Sequence, residues 1–150
     1  MFIALSVVGG MIKIPAIIGS VALDLSPALI AAILLGPIKG GVVAFLGHLA
    51  SSFVAGFPLG AFHFLIALEM FVIVWGFGLL YDRLHNFLSF SFVVILNSIV
   101  APLPFYFLMG KAFYVSIIPS LFIGSVINGL VAILVSSKLF NMITKLKGET

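Results

Sequence analysis

The sequence predicts an all-α integral membrane bundle of six transmembrane helices, with both the N- and C-termini cytoplasmic. Three observations carry that prediction. The 150-residue chain is 63% hydrophobic and only 7% charged, and its mean hydropathy is +1.41. Its apolar residues also fall in runs separated by glycine, proline and charge. A soluble domain uses only about half apolar residues, so this composition belongs in lipid. At roughly 20 apolar residues per span, the chain holds about six short spans, read as one domain over residues 1–150. The absence of cysteine removes disulfides, thiol nucleophiles and thiolate metal sites.

The opening MFIALSVVGGMI has no basic residue ahead of its apolar run and no A-x-A-like site, so it is read as helix 1, Phe2 to about Ile12, rather than as a removable signal. KIPAIIGSVALD follows as a loop of mixed character. Ser26 as N-cap and Pro27 at the first helical position signal helix 2, which runs to about Leu35. Helices 1 and 2 are each too short to cross about 30 Å alone, which places the loop between them at membrane depth, where irregular backbone must be buried or line a cavity. The turn GPIKGG leads into helix 3, about Ile38 to Ala55; it lacks the G-x-x-x-x-G-K-[ST] spacing of a phosphate cradle. GFPLG precedes helix 4, about Gly60 to Leu80. Helix 5 spans about Asn86 to Met109. Pro102 and Pro104 cannot donate to the carbonyls of Ser98 and Val100, so this helix should kink and free acceptors. Helix 6 runs from about Ile117 to Phe140, before a basic tail.

Orientation follows from the cations. With the N-terminus cytoplasmic, Lys39, Arg83, Lys138, Lys145 and Lys147 lie inside, and Lys13 and Lys111 outside. The net charge of +3 is thereby explained by topology. No basic stripe with interleaved aromatics is present, so nucleic acid is not an expected partner.

Polar residues within the apolar segments are the candidate binding groups: Asp24, His48, His63, Glu69, Asn97 and Asn128, with Phe57 for stacking on a flat ligand. Each has a structural alternative. Asn97 and Asn128 suit hydrogen bonds between helices, His48 has the hydroxyls of HLASS beside it, and Asp24 has Lys13 across the first loop. Glu69 is the sharpest functional candidate, because a carboxylate at mid-depth is costly and normally faces a cavity or a partner. Ser6 and Gly10, four apart on helix 1, are candidates for close helix approach, within this chain or against another.

The run KIPAIIGSVALDLSPALIAAILLGPIKGGVVAFLGHLASSFVAGFPLG resembles the first half of the substrate-binding S component of energy-coupling factor (ECF) vitamin transporters. Shared features are the Lys-Ile-Pro loop, a Gly-Ser…Asp approach to helix 2, a small-residue helix ending in Leu-Gly-Pro, and a glycine-rich helix 3. Within that family, GSVALD, GHL and GFPLGAFHFLIALEM are most similar to transporters of α-ribazole, the nucleoside used in cobalamin salvage. The resemblance implies a multi-pass protein of the prokaryotic plasma membrane that binds its vitamin in an outward-facing pocket and works with a transmembrane coupling subunit and two ATP-binding subunits. It implies neither catalysis nor a cofactor. Family members often carry Ala-x-x-x-Ala on helix 1 as the docking surface; here the nearest match is Ser6-x-x-x-Gly10.

The residues suit a neutral, ring-bearing, hydroxyl-rich ligand: carboxylates and amides hold hydroxyls, His63 or another donor reaches a ring nitrogen, and phenylalanines offer a flat apolar surface. Riboflavin and pantothenate are the alternative vitamins. A channel would need polar groups along its full depth, and the inner half shows few. A small membrane-embedded enzyme, the alternative of another class, would need a nucleophile–base pair or a metal cluster. His63 and Glu69, six residues and about 120° apart on a helix, do not share a face as i, i+4 zinc ligands do.

Overall fold

The computed structural model describes residues 1–15, 20–83 and 86–146. Its helices are α1 (Phe2–Met11), α2 (Leu25–Leu35), α3 (Pro37–Val54), α4 (Phe62–Tyr81), α5 (Asn86–Ile95), α6 (Leu103–Met109) and α7 (Lys111–Leu146). A π-helical turn, Leu96–Val100, lies between α5 and α6, and the three form one composite apolar span, Asn86–Met109. With α3, α4 and α7 this makes four helices long and apolar enough to cross a bilayer. At 1.5 Å per residue, α1 and α2 reach only about 15 Å each, half the hydrocarbon thickness.

The boundaries that differ most from the sequence reading are those of the last helix, which ends at Leu146 rather than about Phe140, and the start of α2. The last helix starts at Lys111, directly after Gly110 in the left-handed region (φ 90°), and carries Pro119 in its interior rather than near its start. Helix α2 begins at Leu25 with Asp24 preceding it, so Ser26 and Pro27 sit inside the first turn. There the missing proline N–H costs nothing, because first-turn donors have no intrahelical acceptor. The mixed loop before α2 is bounded by the only strands among the described residues, β1 (Lys13–Pro15) and β2 (Ser20–Ala22), paired antiparallel with Lys13 opposite Ala22.

The α2 helix is apolar all round and occupies the centre: every residue from Leu25 to Ala32 is buried. A short helix with no polar face must be enclosed by others. Leu29, Val74, Phe77 and Val93 form the packed core around it, with Phe77 and Phe90 rings 5.0 Å apart. Large apolar residues facing outward, among them Phe53, Phe64, Phe87 and Phe107 at 58–78% exposure, would be an aggregation hazard in water and are ordinary in lipid.

Close helix approach depends on small residues. A Cβ on Gly47 of α3 would lie 2.6 Å from the Cβ of Ser6, and one on Gly10 2.6 Å from the Cβ of Ser51. Ser6 is wholly buried. The small pair of helix 1 therefore joins α1 to α3 inside the chain, one of the two uses its spacing allows. Gly47→Ala should cost about 1–3 kcal/mol through overpacking, read as a lower unfolding midpoint of the detergent-solubilised protein. Adding Ser6→Gly should recover part of that loss, since the two clashing atoms are partners. An unchanged midpoint in Gly47→Ala would refute the close α1–α3 contact.

Candidate functional site

One half of the bundle is solid and the other is hollow. The hollow half holds the C-terminal ends of α1 and α3 and the N-terminal ends of α4 and α7, away from Lys39 and Arg83. It encloses a cavity of about 520 Å³, within the range of small-molecule sites. The chain between α3 and α4 turns through Gly56, Phe57 and Gly60, all with positive φ. Pro58 and Leu59 of this loop line the cavity.

Its polar wall is assembled from three elements. Asp24 precedes α2, His48, Ser51 and Ser52 project from the last turns of α3, and His63 from the first turn of α4. The Leu59 N–H donates to His63 Nε2 at 3.3 Å, so in the neutral ring the proton sits on Nδ1. That nitrogen lies 3.0 Å from Ser52 Oγ and 3.1 Å from His48 Nε2. His48 thus accepts at Nε2 and donates from Nδ1 to Asp24 Oδ2 at 3.3 Å. The Ser51 hydroxyl donates to the same oxygen at 3.2 Å. Asp24 pairs with His48 and Ser51, not with Lys13 as one sequence alternative had it, although Lys13 also lines the cavity.

Ser52, His48 and Asp24 fall in the order hydroxyl, imidazole, carboxylate, which invites comparison with a nucleophile and its base. Ser52 is only 4% exposed and its oxygen is shared between two imidazoles. The Leu59 amide, the nearby loop donor, is spent on His63. The cluster ties α2, α3 and α4 together rather than presenting a nucleophile.

The remaining candidates divide. Asn128 lines the cavity, but its amide is fully used. Its Oδ1 accepts from the N–H and hydroxyl of Ser26 at 2.8 and 2.7 Å. Its Nδ2 donates to the carbonyls of Ala22 and Gly124, both at 2.9 Å. Four bonds are its whole capacity, so Asn128 pins the start of α2 to α7 and has nothing left for a ligand. His63 lines the cavity too, at 6% exposure, with both ring nitrogens engaged by groups of the chain. Phe57 is not among the cavity-lining residues; its ring lies 5.7 Å from that of His63 and 6.0 and 6.5 Å from those of Phe53 and Phe64. Phe113 of α7 is the phenylalanine in the cavity wall. Asn97 donates to Ser125 Oγ at 2.8 Å and still lines the cavity, and Glu69 lines a smaller side pocket next to it. Sequence reasoning noted Ser51 and Ser52 only as hydroxyl neighbours of His48; the spacing of Ser52 four residues after His48 puts both on one face of α3.

Two comparisons bear on the arrangement. Residues 1–148 match the family described as "ECF transporter, substrate-specific component". The fold is similar to a solved structure reported as the S component of a bacterial ECF transporter, with a TM-score of 0.65 and 23% identity over 95% of this chain and 93% of that one. At that identity the likeness concerns the fold. No curated protein matches the chain.

Asn128→Ala should lower the unfolding midpoint by an amount equivalent to on the order of 1–3 kcal/mol with no ligand present, because the Ser26 amide and the Ala22 carbonyl lose their partner. An unchanged ligand-free midpoint would refute the pinning role.

Proposed function

Because the chain belongs to the family of ECF transporter substrate-specific components, multi-pass membrane proteins that bind a substrate and do not transform it, we propose that its 520 Å³ cavity is the site of vitamin capture from outside the cell. A protein of this family works with a transmembrane coupling subunit and ATPase subunits. The proposed arrangement is one domain over residues 1–150 with six membrane-embedded helical segments, α1 and α2 together accounting for two incomplete ones, and both termini cytoplasmic. Cation placement supports this orientation: Lys39, Arg83 and Lys138 lie toward one side, and Lys13 and Lys111 toward the other. The cavity then opens on the outer side, beside Lys13.

The substrate we propose is α-ribazole. The composition of the cavity wall carries this reading: Asp24 at one side, Asn97 and the adjoining Glu69 at the other, apolar Phe113, Leu59 and Leu121 between them, and Lys13 as the one Lys or Arg among the described lining residues. Carboxylates and an amide suit ribose hydroxyls, and the apolar strip suits a flat benzimidazole. A phosphorylated ligand would bury a dianion against one lysine and two carboxylates, at a desolvation cost of several kcal/mol. Riboflavin, a flat ring joined to a polyol, satisfies the same groups and is the second reading; pantothenate, an anion, fits less well.

Isothermal titration of the purified protein should show tighter binding of α-ribazole than of its 5′-phosphate or riboflavin. Tightest binding of the phosphate would overturn the electrostatic argument, and binding of riboflavin alone would overturn the substrate. Asp24→Asn should weaken binding roughly ten- to a hundredfold, the equivalent of about 1.5–3 kcal/mol for a charge-assisted hydrogen bond.

A further inference from the structure

Beside the main cavity lies a second, smaller one of about 70 Å³, and the two share Leu59, Ile66, Asn97, Phe113, Ile117 and Leu121 in their walls. The side pocket is therefore a branch of the larger space. Its wall is apolar except for Asn97 and Glu69. Asn97 has its Nδ2 engaged by Ser125. Glu69 is different, because its Oε2 is buried without a hydrogen-bond partner. No Lys, Arg or His is among the residues described in the pocket wall. A buried carboxylate oxygen without a donor is a debt that folding alone does not explain, and in a membrane helix it marks a place where something else arrives.

The backbone around the pocket is shaped for the same purpose. Pro102 cannot extend the α5 ladder, and the chain responds with the π-helical turn, in which the Ala101 N–H reaches back five residues to the Leu96 carbonyl at 2.8 Å. The wider turn sets Asn97 in the wall shared by both cavities, while Pro102 and Phe105 close the far end. A volume of 70 Å³ is several times what one water needs, and too small for a ring. It fits the polar tip of a larger molecule whose ring stays at the junction, against Phe113 and Leu121.

We propose that this branch is a donor-binding subsite: Glu69 receives an N–H or O–H group carried at the end of a flat ring, and selects neutral or cationic polar ends over anionic ones. The inference rests on the main cavity being the ligand site and adds the ligand's orientation, with one hydroxyl- or amine-bearing end toward α4 and the π-turn. Rotation about the last torsion of Glu69 exchanges its two oxygens, so either can meet the donor.

Three small probes with one ring and different tips test the subsite on the full-length protein in detergent by isothermal titration. Benzylamine and benzyl alcohol should bind at least tenfold more tightly than benzoate. Glu69→Leu should abolish that preference, and Glu69→Gln should retain benzyl alcohol while weakening benzylamine. Benzoate binding as well as benzylamine to the unmodified protein would overturn the subsite, whether or not the variants fold, as would unchanged benzylamine affinity in a folded Glu69→Leu. Failure of α-ribazole to bind while the probe preference persists would sink the substrate reading alone; α-ribazole binding without any probe preference would sink the subsite alone.

Discussion

Four hydrogen bonds from one amide hold the centre of this protein in place. The α2 helix starts inside the bundle, where Leu25 and Ser26 are only 4% and 3% exposed, and an unsatisfied first-turn donor there costs free energy that packing has to offset. Asn128 removes that cost by accepting from the Ser26 N–H and hydroxyl, and it donates to the Ala22 carbonyl at the end of the strand pair. Because α2 is buried over Leu25–Ala32, its position sets those of the helices that surround it. The same anchor places Asp24, one residue before the helix, at the cavity wall.

A site in a bundle of apolar helices requires that the helices fail to close somewhere, and here the failure is confined to one half. Where small residues face one another, as Gly47 faces Ser6 and Gly78 faces Pro37, backbones approach closely and exclude any ligand. The hollow half holds two local irregularities. The left-handed turn through Gly56, Phe57 and Gly60 joins α3 to α4, and the π-turn at Leu96–Val100 widens the composite span. Each irregularity has its freed backbone groups met from within: Phe57 N–H by the Ser52 carbonyl, Leu59 N–H by His63, and Ala101 N–H by the Leu96 carbonyl.

The polar groups consequently fall into two kinds with different duties. His63, Ser52 and Asn128 are saturated by partners in the chain and give the cavity its shape. Asp24, Asn97 and Glu69 retain accepting capacity toward the space they line. The assignment of a transporter component is independent of that division, since it follows from the family shared by residues 1–148. The division decides which chemistry the cavity favours. Two carboxylates facing one lysine select against anions, whatever the ring between them.

Much of this protein was legible before any coordinates. Hydropathy and punctuation by glycine and proline located the helical segments to within about two residues at most boundaries, because a span must be long and apolar to exist in lipid at all. Pro102 and Pro104 announced the irregular helix, since a missing N–H is a property of the residue itself. The cost of a carboxylate in oil likewise singled out Glu69. What only the tertiary structure decided was who meets whom. Asp24 had Lys13 as a plausible partner in sequence and takes His48 and Ser51 instead; Ser6 and Gly10 had the spacing of a docking face and are used inside the chain. A polar residue's type states how many hydrogen bonds it must make. Whether a neighbouring helix or a ligand supplies them depends on distances between segments far apart in sequence, such as the 102 residues between Ser26 and Asn128, and packing alone sets those.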